Sequence, residues 1–143
     1  YEGVYGGYPE DWQGETRHCV AVDCENRVWC SGGMGVVCFD GAEWRMYEVS
    51  DGLAPAPVRD LCADAAGRLW IAYGLSARAD EGCSEDEPGW GVTVFDGGKW
   101  RTYTSDDGLL DNVVLALTGD HEGKVWALPR PGLNVFDGQK WIG

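Results

Sequence analysis

The sequence predicts an all-β protein made of three repeated four-stranded antiparallel units, and three observations carry that expectation. Three segments align, Val20 to Trp29, Leu61 to Trp70 and Leu117 to Trp126, each with an aspartate (Asp23, Asp64, Asp120) six positions ahead of its Trp. Each is followed by Gly-x-x-x-Phe-Asp-Gly-x-x-Trp, running Gly35 to Trp44, Gly91 to Trp100 and Gly132 to Trp141. All three Phe of the chain (Phe39, Phe95, Phe136) and six of its eight Trp therefore fall on repeat positions, which excludes chance alignment. Between these landmarks apolar residues alternate or form short β-rich runs, and no helical period is present.

The middle unit shows each element in turn. Val58 to Asp64 alternates apolar and polar residues and reads as a first strand, Ala65 to Arg68 as a turn, and Leu69 to Tyr73 as a second strand. Gly91 to Phe95 and Trp100 to Tyr103 flank Asp96-Gly97-Gly98-Lys99, a tight hairpin because Gly supplies the positive φ that such turns require. The segments Asp51-Gly-Leu53 and Asp107-Gly-Leu109 lead into the next first strand. A four-stranded repeat of about 40 residues is the sequence form of a β-propeller blade. The expected units are about 17–47, about 58–103 with an insertion at 74–88, and about 113–143.

The run from Asp107-Gly-Leu109 through Asp120, Gly123-Lys-Val-Trp126 and Gly132 to Trp141 resembles the two-component regulator propeller repeat. Blades of that family read Asp-Gly-Leu, an apolar strand, Asp-x-x-Gly-x-aliphatic-Trp, and then Gly followed by aromatic-Asp/Asn-Gly. The resemblance extends from about Arg17 to Trp141. It departs at Glu10-Asp11-Trp12, which replaces Asp-Gly-Leu, at Cys30-Ser31 after the first Trp, and at Ala127 to Pro129 after the third. The resemblance implies a propeller that forms the periplasmic sensory part of a membrane-bound regulator, often responding to carbohydrates.

Composition narrows the classes of partner. With 24 acidic and 11 basic side chains, the formal charge of −13 excludes nucleic acid, which requires a Lys/Arg footprint. No apolar run approaches the roughly 20 residues of a membrane-spanning helix, so membrane insertion is not expected. Six cysteines in 143 residues point to an oxidising, extracellular or periplasmic compartment. None is spaced as a zinc knuckle or redox pair. The expected disulfide partners are Cys30 with Cys38 as cross-strand neighbours, Cys62 with Cys83 as a tether of the insertion, and Cys19 with Cys24. Fifteen pairings are possible for six cysteines.

The repeat spacings bear on assembly. Trp29 to Trp70 spans 41 residues and Trp70 to Trp126 spans 56, the excess being the 74–88 insertion. The fourth strands read Trp44-Arg-Met-Tyr47 and Trp100-Arg-Thr-Tyr103, whereas the third begins at Trp141 and is completed in register if Tyr1 follows Gly143. Three blades would leave two apolar faces uncovered, so self-association with a second copy, or with neighbouring blades of a longer chain, is expected.

Few residues are equipped for catalysis. His18 and His121 are the only imidazoles, and no nucleophile elbow or phosphate-binding loop is present. Asp23, Asp64 and Asp120 recur in every unit and are expected to accept backbone N–H bonds in the turn. Asp106, Asp107 and Asp111, like the acidic residues of the insertion, read as solvated loops without calcium-site spacing, so no metal or cofactor is expected. The repeat Trp residues Trp29, Trp70, Trp126, Trp44, Trp100 and Trp141 are expected to pack between blades. Trp90 and Trp12 fall outside the repeat and, with Tyr5 and Tyr8, are the candidate aromatic platform for a sugar or protein ligand. The leading expectation is a non-enzymatic, extracytoplasmic recognition module. The alternatives are a secreted subunit that assembles head to tail and a carbohydrate-active enzyme on a propeller.

Overall fold

The computed structural model describes residues 19–31, 35–73 and 89–143. They form three four-stranded antiparallel sheets, each in simple meander order. The first blade comprises β1 (Cys19–Val22), β2 (Val28–Ser31), β3 (Val36–Phe39) and β4 (Trp44–Tyr47). The second comprises β5 (Val58–Ala63), β6 (Leu69–Tyr73), β7 (Val92–Asp96) and β8 (Lys99–Tyr103). The third comprises β9 (Val114–Gly119), β10 (Val125–Pro129), β11 (Asn134–Phe136) and β12 (Trp141–Ile142).

Consecutive hairpins set this order, because short Gly-bearing turns return the chain antiparallel. The β7–β8 pair closes across Asp96 and Lys99, with Gly97 at φ 57° and Gly98 at φ 99°. The Asp-Gly-Leu segments end single 3-10 turns. Asp51 Oδ2 accepts from Glu48 N (2.8 Å) and Asp107 Oδ2 from Thr104 N (2.9 Å), so these carboxylates hold the bend that carries the chain from one blade to the next. Leu53 and Leu109 are then buried as anchors.

The three first strands lie innermost, with β1 against β5 and β5 against β9. Hydrogen bonds stitch them across blades. The Cys19 thiol donates to Arg59 O (2.9 Å), Arg59 Nε donates to Leu115 O (3.0 Å), and Asp60 Oδ2 accepts from Leu117 N (2.8 Å).

Two apolar cores fill the spaces between sheets. Trp29, Val36, Leu61, Ile71 and Phe95 contribute to the core between the first and second blades; Trp70, Val92, Leu117, Val125 and Phe136 contribute to that between the second and third. Trp29 meets Phe95 of the next blade with ring centroids 5.4 Å apart. Trp70 meets Phe136 at 4.8 Å and Trp141 at 5.6 Å in the same way. Phe39 packs on Trp44 within its own blade (4.9 Å), while Trp100 receives Tyr47 across the blade boundary (5.4 Å). Strand β6, buried at all five positions, lies between both cores.

The cysteine pairings expected from the sequence do not form. Cys30 lies opposite Val37 and Cys38 opposite Trp29, so Cys30 and Cys38 project from opposite faces of their sheet. Cys19 opens β1 and Cys24 lies in the turn beyond its far end, about 15 Å away along an extended strand, well over the reach of a disulfide. Cys62 is a free, buried thiol facing the third blade, and Cys83 lies outside the described residues. Cys24, Cys30 and Cys38 are likewise free. Burial pushes the Cys38 and Cys62 thiols up to about 11, which makes them poor nucleophiles.

Candidate functional site

The meander divides the blade connections between two ends. First-to-second and third-to-fourth strand turns lie at one end, while second-to-third connections and the blade-to-blade crossings lie at the other. The first end is structural. In each of its inner turns an aspartate closes a ring of bonds: Asp64 Oδ1 accepts from Ala66 N and Arg68 N (2.9 Å each), and Oδ2 accepts from Arg68 Nε (2.7 Å) and the Trp70 indole (2.8 Å). Asp23 repeats the set with Glu25, Arg27 and Trp29, and Asp120 with Glu122, Lys124 and Trp126. The carboxylates thus orient the indoles that fill the inter-blade cores. Burial opposes ionisation of Asp23, but the hydrogen bonds from Trp29 and Arg27 outweigh it and hold the carboxyl below its ordinary value. Asp120 is also lowered, by the Trp126 indole and then the Lys124 amide. The arginines add a second link: Arg68 lies over its own Trp70 ring (5.5 Å) and over Phe136 of the next blade (5.8 Å).

The opposite end carries the variable features. Trp90 stands just ahead of β7, 43% exposed. Its two glycine neighbours clamp it. Gly89 lies against the Asn112 backbone, where a Cβ has no room, and Gly91, at φ 75°, lies against the Tyr103 carbonyl while its N–H donates to Asn112 O (2.8 Å). The indole is therefore presented on a backbone pinned to the second-to-third blade crossing. Beside that crossing, Arg130 Nε donates to Asp111 Oδ2 (2.6 Å), which holds the Asp111 carboxyl below its usual value, and Val113 N donates to Asp111 Oδ1 (3.1 Å). Ser105 N and Leu110 N are bound by the Asn112 and Asn134 side chains (2.7 and 2.9 Å), so the crossing is rigid. Tyr73, at the base of the insertion, accepts from Ala54 N (3.2 Å) and donates to Thr93 Oγ1 (2.7 Å).

Of the aromatic platform expected from the sequence, Trp90 is described; Trp12, Tyr5 and Tyr8 lie outside the described residues, as does His18. His121 lies in the exposed β9–β10 turn at the structural end, away from Trp90. Among the described residues no group of three His, Cys, Asp or Glu side chains is placed to hold a metal ion. No helix of the described residues is long and apolar enough to cross a membrane.

Sequence reasoning missed an open cleft of about 580 Å³ on the outer rim, between β8 and β12, lined by Arg101, Asp106, Asp107, Lys140 and Trp141 among others. It carries both signs of charge, and Asp107 is already engaged by Thr104 N. The residues that line it are brought together only by packing of the second and third blades, so no local motif announces it.

No family model and no curated protein sequence matches this chain. Solved structures do. The extracellular domain of a hybrid two-component system from B. thetaiotaomicron superposes with a TM-score of 0.63 at 18% identity, over 86% of this chain and 16% of that one. PorZ, a surface component of the type-IX secretion system of Porphyromonas gingivalis, gives 0.58 at 19% identity over 82% and 17%. Virginiamycin B lyase from Staphylococcus aureus gives 0.60 at 16% identity over 87% and 39%. At these identities the likeness is one of fold, and it establishes the three sheets as propeller blades. The chain spans well under half the length of each of these proteins.

Proposed function

We propose that this chain is an extracellular, non-enzymatic propeller module that recognises a carbohydrate at the end of the blades carrying Trp90. One observation carries the reading: a half-exposed indole held by a glycine on each side against a neighbouring blade. A flat apolar ring fixed in place loses little entropy when it stacks on a sugar face, which is why such rings serve as binding platforms. The resemblance to sensory propeller repeats, together with likeness to an extracellular sensor domain and a bacterial surface component, supports the extracellular setting. Likeness to a lyase keeps catalysis as the competing reading, but the one described imidazole, His121, sits at the other end of the blades.

The test is binding of the fluorescently labelled chain to an array of neutral oligosaccharides, repeated with Trp90→Ala. Loss of one stacking contact of about 1–2 kcal/mol predicts roughly tenfold or greater weakening of the glycans retained. Retention of no glycan, or equal binding by the variant, would contradict the proposal.

A further inference from the structure

The inter-blade interface is built twice within the chain, and each open face presents one half of a third. The face of the first blade that docks onto the second carries Trp29, Ser31, Val36 and Cys38; the corresponding face of the second blade carries Trp70, Ala72, Val92 and Val94, docked onto the third. All eight residues are buried. The third blade repeats the set as Trp126, Leu128, Leu133 and Val135, and here it is open: Leu133 is 52% exposed where Val36 and Val92 are 0%, and Leu128 is 43% exposed. Asp120 already holds the Trp126 indole in the orientation that Trp29 and Trp70 adopt.

The receiving half stands open on the first blade. In the second blade it consists of Leu61, Leu69, Ile71 and Phe95; in the third, of Leu117, Val125, Ala127 and Phe136. Its first-blade equivalents are Val20, Val28, Cys30 and Phe39, bordered by Val22, Trp44 and Met46. Val20 is 68% exposed where Leu61 is 6% and Leu117 is 7%. Val37, in the middle of this sheet, is buried, so the exposure is greatest on the inner strand β1.

From this we infer that a second copy of the chain docks its first blade onto the third blade of the first copy, repeating the interface used between blades within the chain. The occupant follows from the repeat: the face that Trp29 and Trp70 each find is a Leu/Val–Phe–Trp sheet surface, and the chain's own open surface of that composition is on its first blade. Trp126 would then lie against Phe39 and Trp44 of the second copy, as Trp70 lies against Phe136 and Trp141. The contact is heterologous, and two copies make it twice in closing six blades, within the range of about four to eight that propellers use. This inference does not rest on the ligand reading.

Two substitutions at exposed positions test it without touching either internal core. Leu133→Arg blocks the third-blade face and Val20→Arg blocks the first-blade face. In native mass spectrometry the wild-type chain is expected as a two-chain species and each variant alone as a monomer with an unchanged circular dichroism spectrum. An equimolar mixture of the variants retains one intact interface and is expected to form a mixed two-chain species. A monomeric wild type, a variant that still pairs alone, or a mixture that stays monomeric would overturn the inference.

Discussion

At the residue scale, the aspartate six positions before each repeat Trp links the local turn to the core. The sequence makes its turn role legible, since a short carboxylate following a strand accepts backbone N–H groups. Its bond to the indole was hidden in plain spacing: six residues across a hairpin bring carboxylate and indole together only once the β1–β2 register is known. The expected Cys30–Cys38 disulfide failed for the same reason, because a single step of register moves a side chain to the other face. Asp23→Asn should destabilise the chain by about 2 kcal/mol near neutral pH, since Asp23 is buried and receives the Arg27 and Trp29 donors. Its folded-state pKa lies below the ordinary 3.8, so its stabilisation is complete above that value and is lost as pH falls through the lower folded value. Urea midpoints of wild type and variant should therefore differ at pH 7 and converge towards about pH 2.5.

At the element scale, the strands and hairpins are the most legible features, because period-two patterning and Asp-Gly turns are local signals. The crossings between blades are less so. Asp-Gly-Leu is visible in the sequence, yet its division of labour emerges only from packing: Asp107 holds the 3-10 turn, Gly108 passes the Trp141 carbonyl, and Leu109 anchors the next blade. Gly108 has φ 107° and no room for a Cβ, whereas Gly97, at φ 57°, faces open space. Gly108→Ala should then lower stability by about 2 kcal/mol or more, and Gly97→Ala by only about 1 kcal/mol. Chemical denaturation of the two variants side by side measures the difference. The Trp90 clamp belongs to this scale as well: the sequence isolates Trp90 as an extra aromatic, but its pinning through Gly91 to Asn112 depends on a contact between blades.

At the scale of the whole molecule, three sheets with polar edges and apolar faces hold one another by mutual coverage. The middle blade is covered on both sides, the outer two on one side each. The repeat made this arithmetic readable in advance, as did the expectation of apolar end faces. The rim cleft between β8 and β12 was not readable, since its lining comes from residues distant in sequence. The central claim is that stability flows from face-to-face packing of successive blades around Trp29 and Trp70. Amide hydrogen exchange on the Leu133→Arg chain, which keeps the outer faces free, tests it most directly. Slowest exchange is predicted in β6, with faster exchange in β1 and β12. Equal protection across all three blades, or a β6 that exchanges before β1 and β12, would contradict it.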